Sequence, residues 1–277
     1  MLVKKLMVVG HLATNEIHTG GVVNRYWGGA GCHVALAASL FLPRNSVMLV
    51  SVCGDDYDLD VLAKAGVDMS GVDVQKNEIS DKFIIREKER GERDFESVGV
   101  LSKSLSLVGK EKLLEKVSWV HLATSPAKQQ LFWFGELKKI DHGDLGVSVD
   151  TFEAFVDKNP REVKEVFEKC DLLFANLIEW QNLKYQTKKP LVLKLEEKGA
   201  CYYENGKFDF RVPALKVKKV VDTTGAGEVV AGVFLALRLL GKSKKKSLKV
   251  ACEMASLSVE GWGIDSLLRK RLREICL

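Results

Sequence analysis

Val221-Asp222-Thr223-Thr224-Gly225-Ala226-Gly227-Glu228, followed by an apolar run over residues 229–240, is the stretch on which the reading of this chain turns. Two glycines one residue apart allow a tight turn with its backbone N–H groups facing outward, and apolar residues at helical spacing behind them make that turn the opening of a helix. Orphan amides and the positive end of a helix dipole favour an anion such as phosphate, and Glu228 stands beside them as a candidate proton acceptor. The turn is not a Walker A loop, because no Gly-Lys-Ser/Thr follows it, and not a dinucleotide fingerprint, because Val230 occupies the third glycine position. Asp222 and Glu228 bracket it, so acidic groups lie next to an anion hole, an arrangement that is costly unless it serves chemistry or a bound cation. The alternative is helix capping by Asp222 or Thr224.

Upstream of this turn the chain alternates. Leu6-Met7-Val8-Val9-Gly10 and residues 47–52 have the form of strands buried on both faces, and residues 119–122, 147–150, 172–175 and 191–194 repeat it with helical stretches between several of them. Strands spaced by helices imply right-handed βαβ units and a doubly wound sheet, whose ligands sit beyond the carboxyl ends of the strands. Asp150, Asn176 and Glu179 fall at or just past such ends. Gly28-Gly29-Ala30-Gly31 opens a small-residue helix where a ligand or another backbone can approach closely. After residues 47–52 and Cys53-Gly54-Asp55-Asp56, a helix and a Gly66-Val67-Asp68 turn are expected. Residues 82–95 read as an antiparallel hairpin turning at Glu89-Arg90-Gly91-Glu92-Arg93, and residues 200–213 as a second hairpin through Glu204-Asn205-Gly206.

At 277 residues, with 46% hydrophobic and 29% charged residues, the chain has ordinary globular composition and length for a substantial core. The net charge of +5 comes partly from residues 242–246 and Arg269-Lys270-Arg271, which read as solvated helix faces rather than as a nucleic-acid patch. Six cysteines without a CxxC pair read as buried small hydrophobes in a reduced cytoplasm. No apolar run approaches the roughly 20 residues a membrane span needs, so neither nucleic acid nor membrane is an expected partner.

The seven residues 222–228 with Ala231-Gly232 behind them resemble the DTxGAGD signature of the ribokinase-like (PfkB) carbohydrate and nucleoside kinases. Other stretches match in order: the diglycine Gly28-Gly29, Gly54-Asp55-Asp56, Ala65-Gly66-Val67-Asp68, the lid turn Gly91-Glu92-Arg93, Asn176-Leu177-Ile178-Glu179 as the family's NxxE motif, and Leu195-Glu196-Glu197-Lys198-Gly199-Ala200 as its LGxxGA segment. The correspondence covers almost the whole chain. It implies a three-layer α/β sandwich, a single domain over residues 1–277, with a mostly parallel central sheet and a small β lid from about residues 11–27 and 80–98. It also implies ATP and Mg²⁺ as cofactors and a small sugar, polyol or nucleoside as acceptor, and it allows a homodimer through the lid.

Carried over position by position, the resemblance makes Glu228 the catalytic base and Gly225, Ala226 and Gly227 the anion hole. Asn15, Gly28, Gly29, His33 and Arg93 fall to the acceptor, and Asn176, Lys194, Gly199, Thr223, Ala255 and Ser258 to the nucleotide. Glu179 and Asn176 fall to the metal. Three positions depart from the pattern. Glu228 stands where Asp is usual, Asn15 where many members have an acid, and His33 where Asn is common. The expected function is therefore γ-phosphoryl transfer from ATP to a substrate hydroxyl, and the alternative is a catalytically silent relative that binds a ligand or regulates a partner.

Overall fold

The computed structural model describes residues 5–87, 93–99, 105–115, 117–139 and 145–271. In chain order the strands are β1 (Lys5–Val9), β2 (Ala13–Thr19), β3 (Val22–Gly28), β4 (Val47–Gly54), β5 (Val67–Gln75), β6 (Asp81–Glu87), β7 (Arg93–Val98), β8 (Val117–Leu122), β9 (Gly146–Val149), β10 (Leu172–Asn176), β11 (Leu191–Lys194), β12 (Ala200–Glu204) and β13 (Lys207–Val212). The helices are α1 (Ala30–Ser39), α2 (Asp60–Lys64), α3 (Glu111–Leu114), α4 (Ala127–Leu137), α5 (Glu153–Lys158), α6 (Pro160–Lys169), α7 (Leu177–Leu183), α8 (Ala226–Leu239), α9 (Lys244–Ser258) and α10 (Asp265–Arg271).

Successive residues of β1 enter opposite cores. Leu6 and Val8 pack with α1 and α8 residues such as Leu36 and Phe234, while Met7 and Val9 pack with Trp133 of α4 and Phe167 of α6. A strand buried on both faces belongs to a sheet held between two helical layers. That sheet has nine strands in the order β13-β12-β11-β10-β9-β8-β1-β4-β5. β11 to β5 run parallel, and the antiparallel pair at the edge is the hairpin expected from its Asn-Gly turn, with Asn205 at φ 52 and Gly206 at φ 75. β1 pairs with β4 on one side and β8 on the other, so chain connections leave it in both directions and open a crevice at its carboxyl end.

One expectation fails. Val67 does not end a turn but begins the nine-residue edge strand β5, which Gly66 introduces at φ 82. A strand exposed along much of its length, with Asp68, Ser70 and Asp73 in it, lacks the apolar run that marks its neighbours.

A second sheet of four strands, β3-β2-β6-β7, stands apart from the large one. Glu16 of β2 binds it together, accepting from Arg25 of β3 across strands and from His18 of its own strand at 2.8 Å each, with Lys82 of β6 at 3.6 Å. The hydrogen bonds from Arg25 and His18 pull its carboxyl down to about 2. The junction between the sheets is fixed at Gly54-Asp55-Asp56, where Asp56 accepts both N and Oγ of Ser80 and Gly54 N donates to the same hydroxyl. The expected turn at residues 88–92 lies outside the described residues, and Arg93 begins β7 opposite Glu87. Among the described residues no helix is long and apolar enough to cross a membrane, and Cys32, Cys53, Cys170, Cys201 and Cys252 are buried and free.

Candidate active site

The carboxyl ends of β8 to β11 and the start of α8 converge on one crevice. Gly225, at φ 81, makes the turn into α8, and a Cβ there would lie 2.2 Å from the His33 ring. Both facts admit only glycine. No side chain caps α8, while the Ala226 amide already donates to Thr223 O at 3.2 Å. Of the three residues expected to form an anion hole, Ala226 therefore has its amide engaged within the turn. Asp222 is not the helix cap. It is buried and braces the loop, accepting Thr224 N at 2.9 Å, Gly263 N at 3.2 Å and, from β3 of the small sheet, the Tyr26 hydroxyl at 2.5 Å.

The Tyr26 bond joins the small sheet to the anion turn across 196 residues. A hydrogen bond to an ionised, buried acceptor contributes about 1.5–3 kcal/mol. Tyr26→Phe is expected to lower the unfolding free energy by that amount in urea titrations, and a change below about 0.5 kcal/mol would show that water replaces the hydroxyl.

Glu228 stands half-buried on the first turn of α8, and its Oε1 accepts the Thr124 hydroxyl at 3.2 Å. Lys194, closing β11, reaches across to Asp150 at the end of β9, with Nζ 2.7 Å from both carboxylate oxygens. The same ammonium lies against the turn, where a Cβ on Gly227 would come within 3.0 Å of it. Asn176 and Glu179 form a capping box on α7: Asn176 Oδ1 accepts Glu179 N, and the Glu179 carboxylate accepts Asn176 N and Nδ2, all at 2.8 Å. The cap engages both amide atoms of Asn176 and both carboxylate oxygens of Glu179. Among the described residues no cluster of three His, Cys, Asp or Glu side chains encloses a metal.

Charge in the crevice is unbalanced. Asp150, Glu179 and Glu228 all act on the one ammonium of Lys194, and together they raise its pKa despite burial, which opposes them. Burial pushes Asp150 up to about 6 against the pull of Lys194, with Glu228 adding to the rise. Burial likewise pushes Glu179 up to about 8, opposed by Lys194 and reinforced by Asp150 and Glu228. The folded protein therefore holds a proton on Glu179 that the unfolded chain, with an ordinary value of 4.5, releases. That contribution to stability is complete below pH 4.5 and is lost as pH rises through about 8. The slope is at most about 1.4 kcal/mol per pH unit. In metal-free urea titrations from pH 5 to 8, Glu179→Gln is expected to flatten the loss of stability, and an unchanged slope would contradict the assignment.

On the other wall, Asn15 and His33 are buried, and Asn15 Nδ2 and His33 Nε2 have no hydrogen-bond partner among the described residues. His33 Nδ1 lies 2.9 Å from Gly29 O, a carbonyl that can only accept, so Nδ1 donates and Nε2 is the ring nitrogen without a partner among the described residues. Gly28 and Gly29 carry the chain closely past Asn15 and His11: a Cβ on Gly28 would meet Asn15 Nδ2 at 2.3 Å, and one on Gly29 would meet His11 O at 2.4 Å. Gly199, at φ 89, turns the chain into β12, where a Cβ would meet Val212 O at 2.0 Å, and it reads as a turn requirement. Ala255 and Ser258 are buried in α9, the Ser258 hydroxyl donating to Ala255 O at 2.8 Å. Thr223 is exposed at the turn. The Arg93 side chain lies outside the described residues.

A model of the "pfkB family carbohydrate kinase" matches residues 4–270. The chain belongs to the PfkB family. A cytidine kinase of Thermococcus kodakarensis is 26% identical, covering 93% of this chain and 97% of its own. Among solved structures, the ribokinase of Cryptococcus neoformans in complex with ADP superposes with a TM-score of 0.80 at 20% identity, covering 98% of this chain and 99% of that one. Arabidopsis thaliana ribokinase complexed with ribose and ATP gives 0.76 at 21%, over 98% and 99%. These structures establish the ribokinase fold for this PfkB member, and with the family match the chain is a carbohydrate or nucleoside kinase.

Three of the crevice's working contacts were not legible as roles. Thr124 and Tyr26 have no motif, and Asp150 read only as a strand-end acid. Their partners are 104, 44 and 196 residues away, so no local pattern announces them.

Proposed function

We propose that this kinase moves the γ-phosphoryl group of ATP to a hydroxyl of a ribonucleoside or a ribose-like sugar, with Glu228 as the base. The observation that carries the reading is the placement of a half-buried carboxylate on the first turn of α8, directly beyond an uncapped glycine turn that has an ammonium packed against it. Glu228 would take the proton of the attacking hydroxyl. The turn amides and Lys194 would offset charge gathering on the transferred oxygens, and positioning would supply most of the remaining acceleration.

Magnesium fits the donor set here, because hard carboxylate oxygens outnumber the cations of the crevice. Glu179 would hold Mg²⁺ through water, with nucleotide phosphates as its other ligands. Bound there, the ion would neutralise phosphate charge.

The acceptor wall supports a hydroxylated substrate. Asn15 Nδ2 donates and His33 Nε2 accepts, and leaving such groups buried and unpaired costs about 1–3 kcal/mol each until a ligand meets them. The cytidine kinase named above, alike over its full length, makes cytidine the first compound to test. ADP release is to be followed with cytidine, uridine, adenosine, inosine, ribose and fructose. The expected result is acceptor-dependent ADP with one or more of the ribosyl compounds, and ADP release that no acceptor raises would overturn the reading in favour of a silent binding protein. The small sheet would close over the acceptor and exclude water. Val22, Val23 and Val98 are exposed on that sheet, which suits pairing of two copies, and a monomer in light scattering would count against it.

A further inference from the structure

We infer that Thr124 is a positioning residue for Glu228, and that the longer base functions in this chain because Thr124 holds it. The inference rests on the proposed reaction. Aspartate at this position would have its carboxylate set by two side-chain torsions, whereas glutamate adds a third and can swing its oxygens through several positions. A misplacement on the order of 1 Å costs about a hundredfold in rate, so the extra freedom has to be removed by something. The hydroxyl donating to Glu228 Oε1 at 3.2 Å is that of Thr124. It fixes one oxygen, and Oε2 would then be the one to take the proton.

Thr124 can do this because its own backbone is held. Ala123 N donates to Val9 O at 2.9 Å, extending the sheet by one residue past β8, and Ser125 Oγ donates back to Ala123 O at 2.9 Å. The buried side chain of Gln130, on α4, then ties two strand ends together, its Nε2 donating to Ala123 O at 3.2 Å and to Asp150 O at 2.8 Å. One of those ends carries Thr124, which meets the base. The other carries Asp150, which grips Lys194. Base and ammonium are thus referred to a single frame, while α8, which bears Glu228, approaches from a separate element.

The test is a double-mutant cycle in steady-state kinetics, with Thr124→Val to remove the donor at constant shape and Thr124→Ser to restore it. Thr124→Val is expected to lower kcat about 10- to 100-fold with the KM for ATP changed less than about threefold, and Thr124→Ser to stay within about threefold of the native kcat. Glu228→Asp withdraws the carboxylate from Thr124, so it is expected to be slower than the native enzyme although it restores the family's usual residue. In that background Thr124→Val is expected to cost nothing further, giving a coupling of about tenfold or more. A native kcat in Thr124→Val, or the same loss in both backgrounds, would overturn the inference. Urea unfolding of each variant separates a positional effect, which leaves the midpoint in place, from a general loosening that would also contradict it. Native turnover in Glu228→Gln would instead overturn the base assignment on which this rests.

Discussion

Glu228→Gln is expected to lose about 10²- to 10⁴-fold in kcat while still binding nucleotide and acceptor, because the amide keeps the shape of the side chain and gives up its capacity to take a proton. Loss of kcat with little change in either KM identifies a group that acts in the transition state rather than in binding. Turnover should be compared over matched protein preparations with the acceptor that gives the highest native rate. Equal rates for native and variant protein would remove Glu228 from the chemistry and leave the glycine turn as a binding element.

Lys194→Met is expected to have the largest effect on stability. Asp150 is 1% exposed and the Lys194 side chain 14%, and the pair is held at 2.7 Å. Removing one partner of a buried pair strands the other charge and costs about 3–5 kcal/mol. Here the damage extends to Glu179 and Glu228, which also interact electrostatically with the same ammonium. The unfolding free energy from urea titration should fall by that amount, and Lys194→Met with Asp150→Asn should recover part of it, since the buried Asp150 carboxylate is then no longer left without its cation. A single variant as stable as native protein would show that water reaches Asp150 freely. Phosphoryl transfer should fall in both variants, because neither keeps a cation beside the turn.

Much of the scaffold was readable because it rests on local patterns. The apolar runs of β1, β4, β8, β9, β10 and β11 mark strands that both helical layers cover, and Asn205-Gly206 marks the hairpin that ends the sheet. β5 was missed because an edge strand is wet along much of its length and carries no such run. In the crevice, Gly225 at φ 81 was legible because backbone geometry forces its identity, whereas Asn176 and Glu179 were marked by a motif and not as the capping box they form. The partners that set charge and position were not. Thr124 with Glu228, Asp150 with Lys194 and Tyr26 with Asp222 meet only through the tertiary fold, and a threonine, an aspartate and a tyrosine in isolation are common residues with many structural uses. His33 shows the same limit from the other side. It stands where Asn is common in the family, and only the structure shows its Nδ1 on the Gly29 carbonyl and its Nε2 buried.

Transfer of label from γ-labelled ATP tests the central claim most directly. With native protein, magnesium and cytidine or another ribosyl acceptor, label should move to the acceptor, and the rate should fall about 10²-fold or more in Glu228→Gln. Label appearing only as inorganic phosphate, at a rate that neither acceptor nor Glu228 alters, would contradict it.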